Sequence, residues 1–543
     1  MHSRGLIVVL TALLLAGCPG EGKPGTAGGL QKIDQNTLIT IVTGDDAKVL
    51  DPHVTSDGGN VKVINQIFET LVGVSADDVN TLIPELAESW TFGDDAKSIV
   101  FTIRSGVTFQ DGAALDAAAC KLSLDRLRKD GFELPSSPYA SMFSQVAAIE
   151  AEGQTLTVAL KSPVAPVALR NFSMFCSSIV SPKVLEASKA IADLDAASLH
   201  VTQNAIGTGG YTVDTFDPAA KVTRLAAYDG YWGGTPSIKT LVFKSVPDEA
   251  KRMEYLGEGK RDAQILVDDV PRQHWEPLKT STSVTLKTWW SLNVCYMGIN
   301  GKHAATKELE VRQAIQLGID RDQLLAHYEG TARPTYSLVA QPMADYDPKL
   351  RPTGWDDDLE TRRATAKALL EKVGAVGREV TVYFPNQPRP YLPRPQKIAD
   401  TVRHSLNAIG LKAKIQGEDK NKLFPGIPSG QYELVLIGWT TDNGHADNFY
   451  SPLADGADGE PGGSNVSRVF DPEIHGKIIA AQQLQGDAAR TAYREIESLL
   501  QNKVGGYAPL VNTKVAIAYS KSISGIEINE LARYRFTKAT ISK

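Results

Sequence analysis

The sequence predicts an α/β protein in which helices cover several sheets, because strand-like and helix-like segments alternate along the whole chain. A length of 543 residues exceeds one ordinary domain and predicts two or three lobes. The composition, 42% hydrophobic and 22% charged, is typical of a globular protein. The formal charge is −6 and no Lys/Arg-rich run occurs, so we expect no nucleic-acid partner.

Hydrophobic periodicity predicts the individual elements. Apolar and polar residues alternate over 99–103 and 155–160, which is the pattern of half-buried strands. Residues 434–437 are apolar at every position, as in a central strand covered on both faces. Apolar residues recur near helical spacing over 308–325 and 394–406, and both segments are therefore predicted as amphipathic helices.

The first eighteen residues are similar to a bacterial lipoprotein signal. Residues 1–4 form a short positive segment, and residues 6–16 are all apolar or small. Eleven residues rise roughly 16 Å as a helix, about half of a bilayer core, so the run fits a secretory signal better than a membrane span. It ends in Leu15-Ala16-Gly17-Cys18, where the Cys18 thiol is the expected lipid acceptor. A plain signal peptide with an incidental cysteine is the alternative.

These features predict a signal peptide at residues 1–17 and a lipid-anchored flexible tether at 18–33. Residues 19–29 are rich in Gly and Pro and cannot bury a core. We therefore expect an extracytoplasmic protein, periplasmic or on the cell surface, held on a bacterial membrane through Cys18.

The remaining cysteines, Cys120, Cys176 and Cys295, match no zinc pattern. Buried thiols are the favoured interpretation, and one disulfide among the three is the alternative. Gly-x-Ser-x-Gly and His-Glu-x-x-His motifs do not occur, and the loop at 257–260 lacks the Ser or Thr of a phosphate loop. We expect no enzymatic activity, no cofactor and no metal.

A series of motifs in one order carries a family resemblance. The motifs lie at residues 50–52, 84–90, 101–112, 123–126, 206–211, 228–234, 311–315, 318–321 and 366–370. The series resembles the family 5 extracytoplasmic solute-binding proteins, the peptide and nickel binders of bacterial ABC importers, over nearly all of residues 40–530. Most of these motifs are interpreted as structural, with no ligand role.

The resemblance implies the large periplasmic-binding-protein fold, in which two hinged lobes close on a ligand beside an additional α/β domain. The implied boundaries are 34–68, 207–298 and 512–543 for lobe I, 69–206 for the extra domain and 299–511 for lobe II. A monomer that passes its ligand to the permease subunits of an importer is expected.

Two segments of the last third, 384–391 and 438–449, resemble those of dipeptide-binding members of the family. That resemblance assigns the C-terminal carboxylate of a peptide to Arg389 and its N-terminal ammonium to Asp442. The chemistry agrees, because the planar guanidinium makes two parallel bonds to a carboxylate and an aspartate is a matching acceptor for an ammonium. Two charges at fixed separation would also measure peptide length.

Other residues complete the predicted site. Gly438 opens the loop of Asp442, and Trp439 and Tyr391 are candidate pocket walls, with core packing as the alternative. Asp57 and Gly58 stand where dipeptide binders have a loop that touches ligand.

At that loop, Asp57 replaces a glycine, which puts the contact in doubt and could favour a basic side chain. His445 is interpreted as a loop residue able to tune the pH response, because a single histidine makes a poor metal site.

Three other functions stay open at this point. The same scaffold could bind longer peptides, haem or a nickel chelate. The protein could instead be a lipoprotein sensor or peptide chaperone without an importer, or a hydrolase.

Overall fold

The computed structural model describes residues 37–55, 57–128, 132, 139–257, 264–457, 459–531 and 533–542, and the predicted signal peptide, tether and Cys18 lie outside this part. The architecture is mixed α/β, as predicted. The strands are β1 (Leu38–Thr43), β2 (Val72–Val74), β3 (Leu82–Pro84), β4 (Ala87–Phe92), β5 (Ser98–Ile103), β6 (Val146–Glu152), β7 (Thr155–Leu160), β8 (Tyr211–Asp217), β9 (Val222–Ala227), β10 (Thr240–Ser245), β11 (Gln264–Val267), β12 (Val284–Trp290), β13 (Asn293–Ile299), β14 (Ala332–Pro334), β15 (Glu379–Pro385), β16 (Lys412–Glu418), β17 (Leu434–Thr440), β18 (Gly456–Ala457), β19 (Glu460–Pro461), β20 (Tyr507–Ser520), β21 (Ile523–Ser524), β22 (Glu527–Ile528), β23 (Tyr534–Arg535) and β24 (Thr540–Ile541).

The helices are α1 (Gly58–Ile67), α2 (Ala117–Arg128), α3 (Ala165–Asn171), α4 (Pro182–Ser188), α5 (Leu194–Gln203), α6 (Glu249–Met253), α7 (Trp275–Lys279), α8 (Leu309–Gly318), α9 (Arg321–Leu325), α10 (Leu359–Lys372), α11 (Pro395–Ala408), α12 (Lys420–Gly426), α13 (Asp447–Ala454), α14 (Pro472–Ala481) and α15 (Gly486–Leu499). Many begin after an aspartate whose carboxylate accepts a first-turn N–H, as at α1, α5, α6, α9, α10, α12 and α14. Each such cap contributes about 1 kcal/mol. Among the described helices, none has the length and apolar character needed to span a membrane.

One large sheet runs through the molecule in the order β16-β15-β17-β13-β20-β11-β1-β10-β9-β8, and β12 and β14 also pair with β20. The long strand β20 joins its two halves. The first residues of β20 pair with β13, and its last residues pair with β11 and β12. The predicted lobe boundary at 511/512 falls inside β20, and the one at 298/299 falls in β13. The boundaries stay a prediction.

The centre of this sheet is apolar on both faces. Strand β13 is buried at every position, and β17 is buried over 434–437. Cys295 and Met297 pack into one core, whereas Val294 and Tyr296 pack into the core on the opposite face. The prediction of a central strand at 434–437 is confirmed. Each fully buried apolar side chain contributes about 1.5–3 kcal/mol, so this double core anchors the strand ends that carry the site.

A smaller antiparallel sheet, β4-β5-β7-β6, lies within residues 69–206. The predicted strands at 99–103 and 155–160 are its β5 and β7, and their alternate residues face a core of their own.

The upstream motif at residues 50–52 has a structural role. Arg126 makes two parallel hydrogen bonds to the Asp51 carboxylate, at 2.9 and 2.6 Å, and both side chains are almost fully buried. His53 lies against the same guanidinium, and burial together with Arg126 lowers its pKa to about 4. The pair satisfies its charges internally and ties the loop before α1 to α2.

Three further motif residues converge on one buried carboxylate, Glu69. Thr208 donates to it at 2.8 Å, Tyr231 at 2.9 Å and the indole of Trp232 at 2.8 Å. Burial and the neighbouring Glu85 raise the pKa of Glu69 to about 7. The interpretation of these motifs as structural agrees with this network.

The structure settles two expectations from the sequence. The single helix predicted over 308–325 is wrong: α8 ends at Gly318, Ile319 is extended, and Asp320 caps α9 by accepting from the N–H of Gln323 at 2.9 Å. Apolar spacing alone does not detect such a cap. The cysteines Cys120, Cys176 and Cys295 are free and buried, so the disulfide alternative is excluded among them.

Candidate functional site

A cavity of about 980 Å³ is lined by segments far apart in the chain. The lining residues lie within 139–146, 164–172, 389–391, 424–427, 437–456, 462–466 and 475–482, together with Tyr296. Small-molecule sites typically enclose about 300–1,000 Å³, so this cavity is at the large end of that range. The strand β17 and the loop after β15 bring the predicted ligand residues to its wall.

Arg389 lies in the loop that follows β15 and is half-buried at the cavity wall. Its backbone is fixed by a reciprocal pair of hydrogen bonds with Leu392, at 3.1 and 2.8 Å. Within the described part of the chain, the buried Nε–H of its guanidinium has no hydrogen-bond partner. A buried donor without a partner is costly, so the arrangement favours a ligand acceptor such as a carboxylate.

Asp442 lies just beyond the end of β17 on the same cavity. Its backbone N–H donates to Asn448 at 2.9 Å, and its backbone oxygen accepts from Arg533 at 2.9 Å. No described residue donates a hydrogen bond to its carboxylate. Burial raises the pKa of Asp442 to about 6, although the Arg533 guanidinium opposes the rise. A ligand ammonium would supply the hydrogen-bond donors that this carboxylate lacks among the described residues, and would add a second positive charge beside it.

Gly438, Trp439 and Tyr391 also line the cavity, so the predicted walls share one site with both charged residues. A Cβ atom on Gly438 would lie 2.5 Å from Cγ of Tyr391 and 2.6 Å from the carbonyl oxygen of Val294. The glycine therefore permits the close approach of the Tyr391 ring. Trp439 makes a long contact, 3.4 Å, from its indole N–H to Asn448.

Asp57 and Gly58 lie outside the described cavity lining. Asp57 caps α1 by accepting from the N–H of Gly59 at 2.9 Å, and it forms an ion pair with Lys420 at 3.0 Å. Hydrogen bonds from Gly59 and Lys420 hold the pKa of its carboxyl below the usual value despite burial, with a smaller contribution from the Arg389 charge. Asp57 thus already has partners within the chain.

His445 does not titrate near neutral pH. Burial and the Arg170 charge lower its pKa to about 3, and its neutral ring accepts from the N–H of Asp447 at 3.1 Å. The interpretation of His445 as a residue that tunes the pH response is therefore wrong. Within the described residues, no group of three or more His, Cys, Asp or Glu side chains is placed to hold a metal ion.

Several site residues carried no signal in the sequence. Arg533 donates to the backbone oxygens of Ser173, at 2.6 Å, and Asp442, and so joins the last segment of the chain to both sides of the cavity. Asn171 accepts from Asn443 at 2.9 Å, and this bond joins two segments that line the cavity. These contacts join residues between 91 and 360 positions apart, and no local spacing encodes them.

The fold and the site together define a solute-binding protein, with one cavity that offers a cationic and an anionic group to its ligand. A family model described as "Bacterial extracellular solute-binding proteins, family 5 Middle" matches residues 81–461. The chain belongs to this family, as the motif series predicts.

The relatives agree with that placement. The dipeptide-binding protein of Escherichia coli (strain K12) is 25% identical over 512 residues, which is 90% of each chain. A periplasmic binding protein from Helicobacter pylori in complex with the peptide STSA shares the fold, with a TM-score of 0.79 at 21% identity over 93% of this chain and 98% of that one. The dipeptide-binding protein from Pseudoalteromonas sp. SM9913 in complex with Met-Leu also has a TM-score of 0.79, at 19% identity over 93% of this chain and all of that one.

Proposed function

We propose that this protein binds dipeptides by their charged termini and delivers them to the permease of an ABC importer. Arg389 binds the carboxylate and Asp442 binds the ammonium. The observation that carries the proposal is that both groups line one cavity and that each has an unused hydrogen-bonding capacity. The Arg389 Nε–H lacks an acceptor and the Asp442 carboxylate lacks a donor among the described residues.

Binding through both charged termini, here called the two-ended grip, explains how such a site can accept many side chains. Both charges of the ligand are compensated in the complex, whereas a ligand with one blocked terminus leaves one protein charge buried and alone. Leaving a buried charge unpaired costs about 3–5 kcal/mol, so a blocked terminus should weaken binding at least about a hundredfold.

The volume of the cavity supports a second candidate ligand on the same site. At about 980 Å³ the cavity has space beyond two extended residues, and the relative from Helicobacter pylori was solved with the peptide STSA. Longer peptides are therefore the alternative cargo. The presence of both Arg389 and Asp442, each within its matching motif, favours dipeptides.

We also propose that the protein acts as a monomer outside the cytoplasm, anchored by a lipid on Cys18. The motif Leu15-Ala16-Gly17-Cys18 and the Gly/Pro-rich residues after it support this assignment. Mass spectrometry of the membrane-bound protein should find a diacylglyceryl group on Cys18. The Cys18→Ser variant should leave the membrane fraction, and a variant that stays there would contradict the anchor.

Calorimetry of the purified chain tests the cargo. Di-, tri- and tetrapeptides of alanine are titrated, beside dipeptides that are acetylated or amidated. We expect alanyl-alanine to bind and each blocked form to bind about a hundredfold more weakly or worse. Equal binding of blocked and free dipeptides would overturn the two-ended grip, and tighter binding of the tetrapeptide would replace dipeptides by longer peptides. Absence of turnover of the bound peptide separates the proposal from a hydrolase.

A further inference from the structure

One end of the cavity carries acceptors that the grip on the peptide termini does not use. We define this acid end by Asp447, Ser451, Asp455 and Gln482, all of which line the cavity. Asp447 begins α13, Ser451 lies one turn further on, Asp455 follows the helix, and Gln482 follows α14. Two carboxylates, a hydroxyl and an amide therefore meet at one place.

The Asp447 carboxylate is fixed by hydrogen bonds to only one of its two oxygens. Its Oδ1 accepts from Ser451 at 2.8 Å, from Gln482 at 3.0 Å and from the Tyr493 hydroxyl at 3.2 Å, all of them neutral donors. No described residue donates to its Oδ2. Burial raises the pKa of Asp447, and the nearby Asp455 charge contributes to the rise. The described residues hold this carboxylate in place without supplying a Lys or Arg cation to it.

Gln482 adds an unpartnered acceptor. Its side chain is only 8% exposed, and its Oε1 has no hydrogen-bond partner among the described residues. Its Nε2 donates to both Asp447 and Ser451, which fixes the orientation of the amide because the reverse orientation would place Oε1 against a carboxylate. The amide of Gln482 thereby holds the Asp447 carboxylate and the Ser451 hydroxyl in fixed positions on the cavity wall.

The charges of the described lining residues do not balance. Asp442, Asp447 and Asp455 are acids, and Arg389 is the only Arg or Lys among them. Asp455 lies 2.6 Å from Nδ1 of His475, and among the described residues no Arg or Lys forms an ion pair with Asp447. A zwitterionic dipeptide would compensate Arg389 and Asp442 and leave the acid end with an excess negative charge.

We propose that the acid end binds a cationic side chain on the N-terminal residue of the peptide, so that dipeptides beginning with lysine or arginine are the preferred ligands. This inference rests on the proposed function. The position follows from the Asp442 backbone, whose N–H donates to Asn448 in the first turn of α13, next to Asp447. The ammonium terminus and the acid end are therefore neighbours.

Calorimetry of the wild-type chain with four peptides tests the inference without any variant. Lysyl-alanine should bind about tenfold or more tightly than norleucyl-alanine, which has the same chain without the charge, because hydrogen bonds to charged groups are the stronger ones. Alanyl-lysine should show no such gain over alanyl-alanine. Equal affinity of lysyl- and norleucyl-alanine would overturn the inference while leaving the dipeptide function in place. If none of the four peptides binds, both proposals fail.

The variant Asp447→Asn locates the cation. It should remove most of the lysyl-alanine advantage and leave norleucyl-alanine binding within about twofold of wild type. Asp487→Asn, at a 93% exposed aspartate in the first turn of α15, is the matched control and should change neither. A full lysine preference in a folded Asp447→Asn protein would remove Asp447 from the site. Glutaminyl-alanine bound as tightly as lysyl-alanine would contradict a cationic ligand.

Discussion

Two aspartates of this molecule, Asp51 and Asp442, are in opposite electrostatic situations. Asp51 is fully buried and receives both arms of the Arg126 guanidinium. Asp442 lies at the cavity wall, its carboxylate accepts no hydrogen bond from the described residues, and burial raises its pKa to about 6. The charge that holds the fold is compensated within the chain, whereas the charge in the cavity is left for a ligand.

The largest expected effect comes from breaking the structural pair. Arg126→Ala leaves the Asp51 carboxylate buried and unpaired, so the free energy of unfolding should fall by about 3–5 kcal/mol. Urea unfolding followed by circular dichroism measures it. Lys121→Ala is the control, because Lys121 pairs with Asp125 on the partly exposed side of the same helix and should cost less than about 1 kcal/mol. Similar losses in the two variants would remove the distinction.

The variant Asp442→Asn should separate stability from binding. Dipeptide affinity should fall about a hundredfold, since the ammonium loses its charged partner. At pH 7 the free energy of unfolding should rise by about 1–3 kcal/mol, since a carboxyl whose pKa is raised in the folded state destabilises the fold when ionised.

The size of that stability effect depends on pH. A carboxyl with a raised folded-state pKa lowers stability as the pH rises from its unfolded value, about 4, to about 6; the loss is constant above this range and absent below it. The gain from Asp442→Asn should therefore vanish below about pH 4. Denaturant unfolding at pH 4 and pH 7 measures both values. Loss of stability at pH 7 would show that Asp442 supports the fold as Asp51 does.

Gly438→Ala tests whether the cavity wall is as tightly packed as the fold around Asp51. The added Cβ would lie 2.5 Å from the Tyr391 ring, so the ring or β17 must move. Overpacking of this kind costs about 1–3 kcal/mol. Dipeptide affinity should fall as well, because Tyr391 lies beside Arg389. Gly476→Ala is the control, since no atom lies within 4 Å of its added Cβ in α14 and the change should stabilise by about 0.5–1 kcal/mol.

Sequence patterns predicted the strand and the residues that form the site around Asp442. The apolar run at 434–437 placed β17 between two cores, and the resemblance placed Arg389, Asp442, Trp439, Gly438 and Tyr391, all of which line one cavity. Periodicity and motifs reflect the local environment of each segment, and this information is present in short windows of the sequence.

The partners of these residues could not be predicted in the same way. Arg533 reaches Asp442 from 91 positions away, and Gln482 reaches Asp447 from 35 positions away. Such contacts depend on how the sheets and helices pack. The position of Asp57 also depends on packing, because Lys420, 363 positions away, pairs with the carboxylate of this helix cap.

The smallest expected effect is a pH dependence that sharpens the contrast between the two aspartates. Binding of alanyl-alanine should weaken as the pH falls through about 6, the value to which burial raises the pKa of Asp442. A bound ammonium favours the ionised carboxylate and lowers its pKa, so binding releases a proton. At pH 5 only about one tenth of Asp442 is ionised, and affinity should be about tenfold lower than at pH 7.

The groups that face Asp442 do not confound this measurement. Arg533 stays charged, since burial lowers its pKa only to about 10, and burial raises the pKa of Tyr139 and Cys176, which stay neutral. Calorimetry in buffers of different ionisation enthalpy should show the proton release near pH 6. Asp442→Asn should flatten the pH profile, and a profile that persists in that variant would assign the titration to another group. Alanyl-alanine is the suitable ligand because it carries no side-chain charge toward Asp447, whose own pKa burial raises.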